Sequence, residues 1–505
     1  MRPARDVGVW MVLLKRAAWV AVLSVLLGLL GAAGAQARAK AAASIPWAAC
    51  ADAEGYECAS VEFPRDYKRP NGRTVSIAVV RQPAKDQANR LGSLFVNPGG
   101  PGGSGVDFVK GSPGLFASLN ERYDIVGFDP RGTGSSTSAI DCEANQFTEG
   151  VYSQPYATPD TDRAEYLQRV RTYTQKCVRN NPGILPYTTT ASVARDLDGL
   201  RALVGDEKLN YLGFSYGTFL GATYLSLFPD RIGRTVLDGP IDADEYINDP
   251  MSNLAEQTAA FERALQRFFM ACAADQEACL GFGGDDPHLA YDALIRAADA
   301  APVPAGDAGP AVTGQDMLNA TIITLYAKQN WPLLAQALAT AQAGDGTLMR
   351  LLTDATYGYD RETGRFDPGT DRYFAIGAAE QRYPTDPATY FRAGRRSWGS
   401  FDHFWFNAGY VELNWGLFPV QGRPVYRGPF DVPASAQTPL VVDTTYDPAT
   451  PYRGGVRLAK DLGNARLLTM DGDGHTAYNG NSACIDEAVN AFLVAGTTPQ
   501  DGLRC

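Results

Sequence analysis

The residues of this 505-residue chain best suited to chemistry are in Gly213-Phe-Ser215-Tyr-Gly217. A G-x-S-x-G run between a strand and a helix puts its serine on a tight, strained turn, with the hydroxyl above a sheet. Residues two positions to either side must be small, because strand and helix nearly collide there. An ordinary serine in a turn is the plainer alternative. The run follows the apolar Asn210-Tyr-Leu212 and precedes a helical stretch from Thr218 to Leu227, which favours the nucleophile.

A serine hydroxyl is a poor nucleophile without a base. The chain has three histidines, His288, His403 and His475. Proteins built on this turn order their triad as serine, acid, histidine along the chain. His475, in Asp471-Gly-Asp-Gly-His475 after the last apolar strand, is the expected base; His288 and His403 read as structural or surface histidines. Pro439-Leu-Val-Val-Asp443-Thr-Thr-Tyr-Asp447-Pro-Ala-Thr-Pro451 offers two acids. Asp447, in the loop beyond the strand, can reach the outer nitrogen of His475, fix its tautomer and stabilise the imidazolium. Asp443 reads as a local turn residue, and Asp471 and Asp473 as solvated.

Acyl transfer also needs donors for a developing oxyanion. One is the N–H of Tyr216. The other should come from Asn97-Pro-Gly-Gly-Pro-Gly-Gly-Ser-Gly105, where Pro98 and Pro101 have no N–H and Gly99, Gly100 and Gly102 remain; Gly100 is the choice. A phosphate cradle is the weaker reading, since the run contains neither GKS/T nor GxGxxG.

Elements must carry these residues to one place. Residues 59–64 and 74–80 read as strands around a Pro70-Asn-Gly72 turn. Leu94-Phe-Val96, Tyr123–Phe128, Asn210-Tyr-Leu212 and Arg234–Leu237 are short apolar strands. Residues 191–204 have helical spacing. Strands alternating with helices imply an α/β fold with a mainly parallel, doubly covered sheet, its sites at the strands' C-terminal ends. The alternation stops from about 241 to 435 and resumes at Pro439–Val442 and Arg466–Met470. An insertion of that length is no simple loop. It reads as a mostly helical cap after the strand that follows the nucleophile helix, dividing the core into 38–240 and 436–505.

Residues 1–37 have a basic start, an apolar run from Ala17 to Leu30 and small residues ending Ala35-Gln-Ala37, the pattern of a secretory signal. An uncleaved anchor is less favoured, because the run is shorter than the roughly 20 residues a span needs. Export to the envelope, the periplasm or beyond is expected, with no stable membrane span after cleavage. Net charge is −11 over the whole chain. Such acidity excludes binding of nucleic acid or anionic lipid by bulk charge. Eight cysteines in an exported chain suggest disulfides, and nearest-neighbour pairing would join Cys50 with Cys58, Cys142 with Cys177, Cys272 with Cys279, and Cys484 with Cys505. There is no CxxC and no histidine beside a cysteine, so neither a metal nor an organic cofactor is expected.

Taken together, these residues resemble the secreted tripeptidyl aminopeptidases, an α/β-hydrolase branch that also holds the proline iminopeptidases. The resemblance rests on Trp47-Ala-Ala-Cys50 with Cys58, the run 97–105 and Asp129-Pro-Arg-Gly-Thr-Gly-Ser-Ser136. It extends through Tyr187-Thr-Thr-Thr190, Asp196-Leu-Asp198, Gly213–Thr218, Asp447–Pro451, Gly474-His475 and the Cys484–Cys505 tail. It implies Ser215, Asp447 and His475 in the roles given above. The family pattern often has A-I-x-C-x-D/E and a later C-x-x-W. Here these read Ala375-Ile-Gly-Ala-Ala-Glu380 and Glu412-Leu-Asn-Trp415, with both cysteines absent.

An aminopeptidase needs a carboxylate for the substrate's ammonium, because an unpaired buried charge is costly. Glu380, Asp238 and Asp242 are the candidates. The aromatic run Trp398–Trp415 would line a pocket or form cap core. Three readings stand: a serine exopeptidase releasing short N-terminal peptides; a carboxylesterase or lipase using the same triad; and a non-catalytic binding protein, against which the intact triad argues. The expected partner is a peptide or ester substrate.

Overall fold

The computed structural model describes residues 44–152, 163–478 and 480–505. The chain divides into two units, Met1–Ile45 and Pro46–Cys505, and the second carries all that follows. The secretory signal expected at 1–37 lies outside the described residues.

Ten strands form one sheet: β1 (Ala48–Ala49), β2 (Glu57–Pro64), β3 (Thr74–Gln82), β4 (Gly92–Asn97), β5 (Tyr123–Phe128), β6 (Leu209–Phe214), β7 (Ile232–Asp238), β8 (Leu440–Tyr446), β9 (Arg466–Asp473) and β10 (Leu503–Arg504). Their spatial order is β1-β2-β3-β5-β4-β6-β7-β8-β9-β10. β1 to β3 pair antiparallel and β3 joins β5 antiparallel; every pairing from β5 onward is parallel. Side-chain patterning follows from this. β3 alternates between buried and more exposed positions, as a strand with one wet face must. β4 and β5 are buried at every residue, as central parallel strands covered on both faces must be.

Helices cover the sheet. Those used below are α1 (Gly105–Gly111), α2 (Thr190–Leu203) and α3 (Tyr216–Leu227). Between β7 and β8 the chain leaves the sheet and builds the cap from helices, including α4 (Ala243–Asn248), α5 (Pro250–Ala274), α6 (Pro287–Ala300), α7 (Gly314–Leu325) and α8 (Gly369–Glu380). After β8, α9 (Tyr452–Leu462) returns to the sheet. Disulfides join Cys50–Cys58, Cys142–Cys177, Cys272–Cys279 and Cys484–Cys505. No helix among the described residues is long and apolar enough to cross a membrane.

One buried ion pair ties the outer strands to this scaffold. The Arg131 side chain, fully buried, pairs with Asp196 of α2. It also donates to the carbonyls of Pro64 and Arg65, each at 2.7 Å. Tyr67 donates its hydroxyl to Asp196 Oδ1 at 2.6 Å and lies under the guanidinium. Asp196→Asn should therefore leave a buried guanidinium without its counter-charge, at a cost of about 3–5 kcal/mol. Urea unfolding followed by circular dichroism measures it; a loss below about 1 kcal/mol would show that the pair is dispensable.

Candidate active site

Ser215 follows β6 directly, with φ 56° and ψ −126°. A non-glycine residue held there costs on the order of 1–3 kcal/mol, so its surroundings must fix it. Ser215 N donates to Asp238 O at 2.9 Å, and the Thr218 amide and hydroxyl both donate to Ser215 O, at 2.8 and 2.6 Å. The flanking glycines are steric necessities. A Cβ on Gly213 would lie 2.6 Å from Gly217 O, and one on Gly217 would lie 2.8 Å from Asn97 O.

His475 and Asp447 meet beside this turn. Nδ1 of His475 lies 2.8 Å from Asp447 Oδ2 and 3.0 Å from Oδ1. Asp447, 2% exposed, also accepts from the amides of Ala449, Thr450 and Thr476 and from the Thr450 hydroxyl. With Nδ1 committed to Asp447, Nε2 is the basic nitrogen, and it is buried with no hydrogen-bond partner. Ser215 Oγ and His475 Nε2 are thus not bonded to each other in this state; such contacts often tighten only when substrate is bound. Burial alone would lower the His475 pKa. The Asp447 charge and hydrogen bond, helped by the Asp238 charge, outweigh it and hold the pKa above the ordinary 6.5.

The two remaining aspartates of this cluster differ from Asp447. Asp443 is fully buried, with Oδ1 on its neighbour's amide (Thr444, 2.8 Å) and Oδ2 unpartnered. Burial, then the Asp447 charge, push its pKa well above the usual carboxylate range. Asp238 accepts from the amides of Ala477 and Tyr478, each at 2.9 Å, and burial raises it to about 6.

The glycine-rich run after β4 passes over the serine. A Cβ on Gly99 would lie 2.9 Å from Ser215 Cβ and 3.0 Å from Tyr216 N. Gly99 donates its own N–H to Asn97 Oδ1 at 3.0 Å. The N–H groups of Gly100 and Gly102 remain as donors from this run, and the Tyr216 N–H lies at the start of α3, where the first amides of a helix lack internal partners. Asp129 secures this run by accepting from the Ser104 hydroxyl and the Val106 amide, while its other oxygen accepts from the Ser135 amide.

A cavity of about 710 Å³ opens over Ser215 and Gly100, with cap residues Tyr326, Tyr373, Phe374 and Trp415 on its walls. Of the aromatic run 398–415, Trp415 lines the cavity, Phe404, Phe406 and Tyr410 are cap core, and Trp398 is half-exposed.

The amine-binding candidates sit in three different surroundings. Asp238 is fully buried beneath the His475 loop, and its oxygens are committed to that loop. Glu380 is 2% exposed and accepts from the Thr190 amide and hydroxyl, each at 2.8 Å; the Thr190 hydroxyl in turn bonds the Tyr216 hydroxyl. Glu380 therefore braces Tyr216, the residue after Ser215. Burial raises its pKa to about 7. Asp242 does line the cavity, but one oxygen caps α4 through Glu245 N and the other pairs with Arg457 at 2.9 Å. Asp473, expected in solvent, is buried between Arg267 and Lys328 of the cap.

Glu245, which the sequence reading passed over, lines the same cavity. Its Oε1 lies 3.2 Å from Arg457, and its Oε2 is buried without a partner. Burial, then the Asp242 charge, raise its pKa. The available signal was its place in Asp242-Ala-Asp-Glu245, just after the strand that follows the nucleophile helix.

Residues 92–278 match the family model described as alpha/beta hydrolase fold, and residues 414–505 match the one described as TAP-like protein. The chain is 33% identical to serine protease Hip1 of Mycobacterium tuberculosis over 540 residues, covering 100% of both chains. It is 34% identical to carboxylesterase B of the same organism over 466 residues, covering 89% of this chain and 86% of the relative. It is 32% identical to tripeptidyl aminopeptidase of Streptomyces lividans over 493 residues, covering 94% of this chain and 89% of the relative.

With three histidines in the chain, each ring can be followed by nitrogen-correlated NMR. His475 should become protonated at a pH above 6.5, so its neutral, base-competent form fills only at higher pH. In Asp447→Asn the raising influence of that charge is lost, burial dominates, and the midpoint should fall. Asp443 accepts from its own neighbour's amide while the ring bonds Asp447, so Asp443→Asn should move the midpoint less than Asp447→Asn. A His475 midpoint that follows Asp443 rather than Asp447 would reverse the assignment of the acid.

Proposed function

The chain belongs to the TAP-like family of α/β hydrolases, and we propose that this serine hydrolase is an exopeptidase that releases short peptides, tripeptides first, from free N-termini. Ser215 is the nucleophile. Its hydroxyl proton passes to His475 Nε2 as Oγ attacks the scissile carbonyl, while Asp447 holds Nδ1–H and the imidazolium charge. The tetrahedral oxyanion is received by the N–H groups of Tyr216 and Gly100. His475 then gives its proton to the leaving amine, and the acyl-enzyme on Ser215 is hydrolysed by water through the same steps.

The observation carrying the exopeptidase reading is the charge balance at Arg457. Asp242 and Glu245 share that single guanidinium, at 2.9 and 3.2 Å, inside the cavity that holds Ser215. Two carboxylates on one cation leave an unmatched negative charge on the cavity wall at Asp242 and Glu245. A substrate's free ammonium supplies the missing cation; a neutral ester does not. The esterase reading is favoured by the relative named carboxylesterase B. The four disulfides support export to an oxidising compartment.

Two measurements test this. Free-amino peptide amides, the same peptides N-acetylated, and acyl esters are compared as substrates; turnover confined to the free-amino set is expected, and Ser215→Ala should abolish it together with organophosphonate labelling. Activity on esters with none on amides would establish the esterase instead. Glu245→Gln should lower kcat/KM for free-amino peptides about 10- to 100-fold, the loss of one charge-assisted contact, chiefly through KM. An unchanged kcat/KM would remove Glu245 from substrate binding.

A further inference from the structure

We propose that His288, Asp292 and His403 form a binding site for one divalent transition-metal ion, with zinc the best fit to their donor set, in the cap and apart from the Ser215 cavity. Their ligand atoms all lie within 4.8 Å of one another. His288 and Asp292 sit one turn apart on α6, on the same face of the helix. His403 approaches from the loop before Phe404.

The argument begins with Glu262 of α5. Its Oε1 accepts the amides of His403 and Phe404 at 2.8 and 2.7 Å, and its Oε2 lies 3.0 Å from His403 Nδ1. Nδ1 must therefore carry a proton, and the lone pair of a neutral ring falls on Nε2. That atom faces Asp292 Oδ1 at 3.0 Å. Two acceptors at this distance repel unless a proton or a metal ion lies between them. A proton bridges two atoms, but a third donor converges here: His288 Nε2, 3.8 Å from the same carboxylate oxygen. Asp292 Oδ2 lies 3.6 Å from exposed Arg296.

Zinc–nitrogen and zinc–oxygen bonds near 2.0–2.2 Å place tetrahedral ligand pairs roughly 3.3 Å apart; the two pairs made with Asp292 Oδ1 stand at 3.0 and 3.8 Å, and the two histidine nitrogens, within 4.8 Å of each other, would draw together around the ion. A carboxylate that receives the far N–H of a liganding histidine is the usual orienting partner of such sites; Glu262 occupies that place. The rings are held in position: Phe269 stacks on His288 at 5.1 Å, and Tyr291 meets His403 edge-on at 5.4 Å. His288, with its side chain 42% exposed, leaves an approach for the ion and a place for water as fourth ligand. The donor set contains no cysteine and spans 115 residues of chain between its histidines, so no short motif announces it, which is why the sequence reading expected no metal.

Tag-free protein, stripped with chelator, is titrated with zinc chloride by calorimetry, with magnesium chloride as control. One zinc per chain should bind, magnesium should not, and zinc should raise Tm. His288→Ala, at a half-exposed position, should fold and lose both effects; Glu262→Gln should bind about 10- to 100-fold more weakly. NMR should show the Nε2 signals of His288 and His403, and not that of His475, moving with zinc. Lack of stoichiometric binding, or binding unchanged in His288→Ala, would overturn the site. So would a His403 Nε2 that keeps its proton in the presence of zinc, which would make the cluster an imidazolium held between two carboxylates.

Discussion

The bond between Asp447 and His475 Nδ1 is the interaction on which the rest of the site depends, because it decides which imidazole nitrogen is free. It forms inside a cluster of three buried carboxyl groups, Asp238, Asp443 and Asp447. Three negative charges cannot share one low-dielectric space with a single imidazole. The chain separates them by the number of donors each receives. Asp447 has five, including the ring; Asp238 has two backbone amides; Asp443 has one amide from its own neighbour. The least-served group is the one whose pKa burial and the Asp447 charge push well above the carboxylate range, and the ring turns to the best-served one.

The same logic explains the motif around the acid. Asp447-Pro-Ala-Thr450 folds back so that the Ala449 and Thr450 amides and the Thr450 hydroxyl reach the Asp447 carboxylate. The short loop thus serves its own aspartate. β8 brings Asp443 and Asp447 to the same sheet edge, but Asp443 is still a strand residue, with its carboxyl against the backbone of α9: a Cβ on Gly455 would lie 2.1 Å from Asp443 Oδ2. The loop position alone leaves a carboxylate free to turn toward the histidine.

How far this could be read from sequence depends on the range of each interaction. The elbow was legible because Gly213, Ser215 and Gly217 collide locally, with one another and with Asn97. The parallel strands were legible because burial on both faces writes unbroken apolar runs. Asp473 was misread because its partners, Arg267 and Lys328, lie 206 and 145 residues away in the cap. The Thr190 partners of Glu380 were illegible for the same reason: a buried acid and a substrate-facing acid look alike until Thr190 is seen beside it. Glu245 went unnoticed because its distinction is a shortage of partners, which only the packed structure reveals.

The misread Asp473 changes how the cap should be viewed. It lies two residues before His475 and is gripped by Arg267 of α5 and by Lys328 just beyond α7. The His475 amide itself donates to the Tyr326 carbonyl at 2.6 Å, and the Tyr326 ring meets the imidazole edge-on at 5.4 Å. His475 is therefore held from both sides: Asp447 of the core fixes its outer nitrogen, and the end of α7 fixes its backbone. A cap that swung away as one body would pull on the histidine it helps to hold. α5 and α7, which also line the cavity, are thereby tied to the His475 loop.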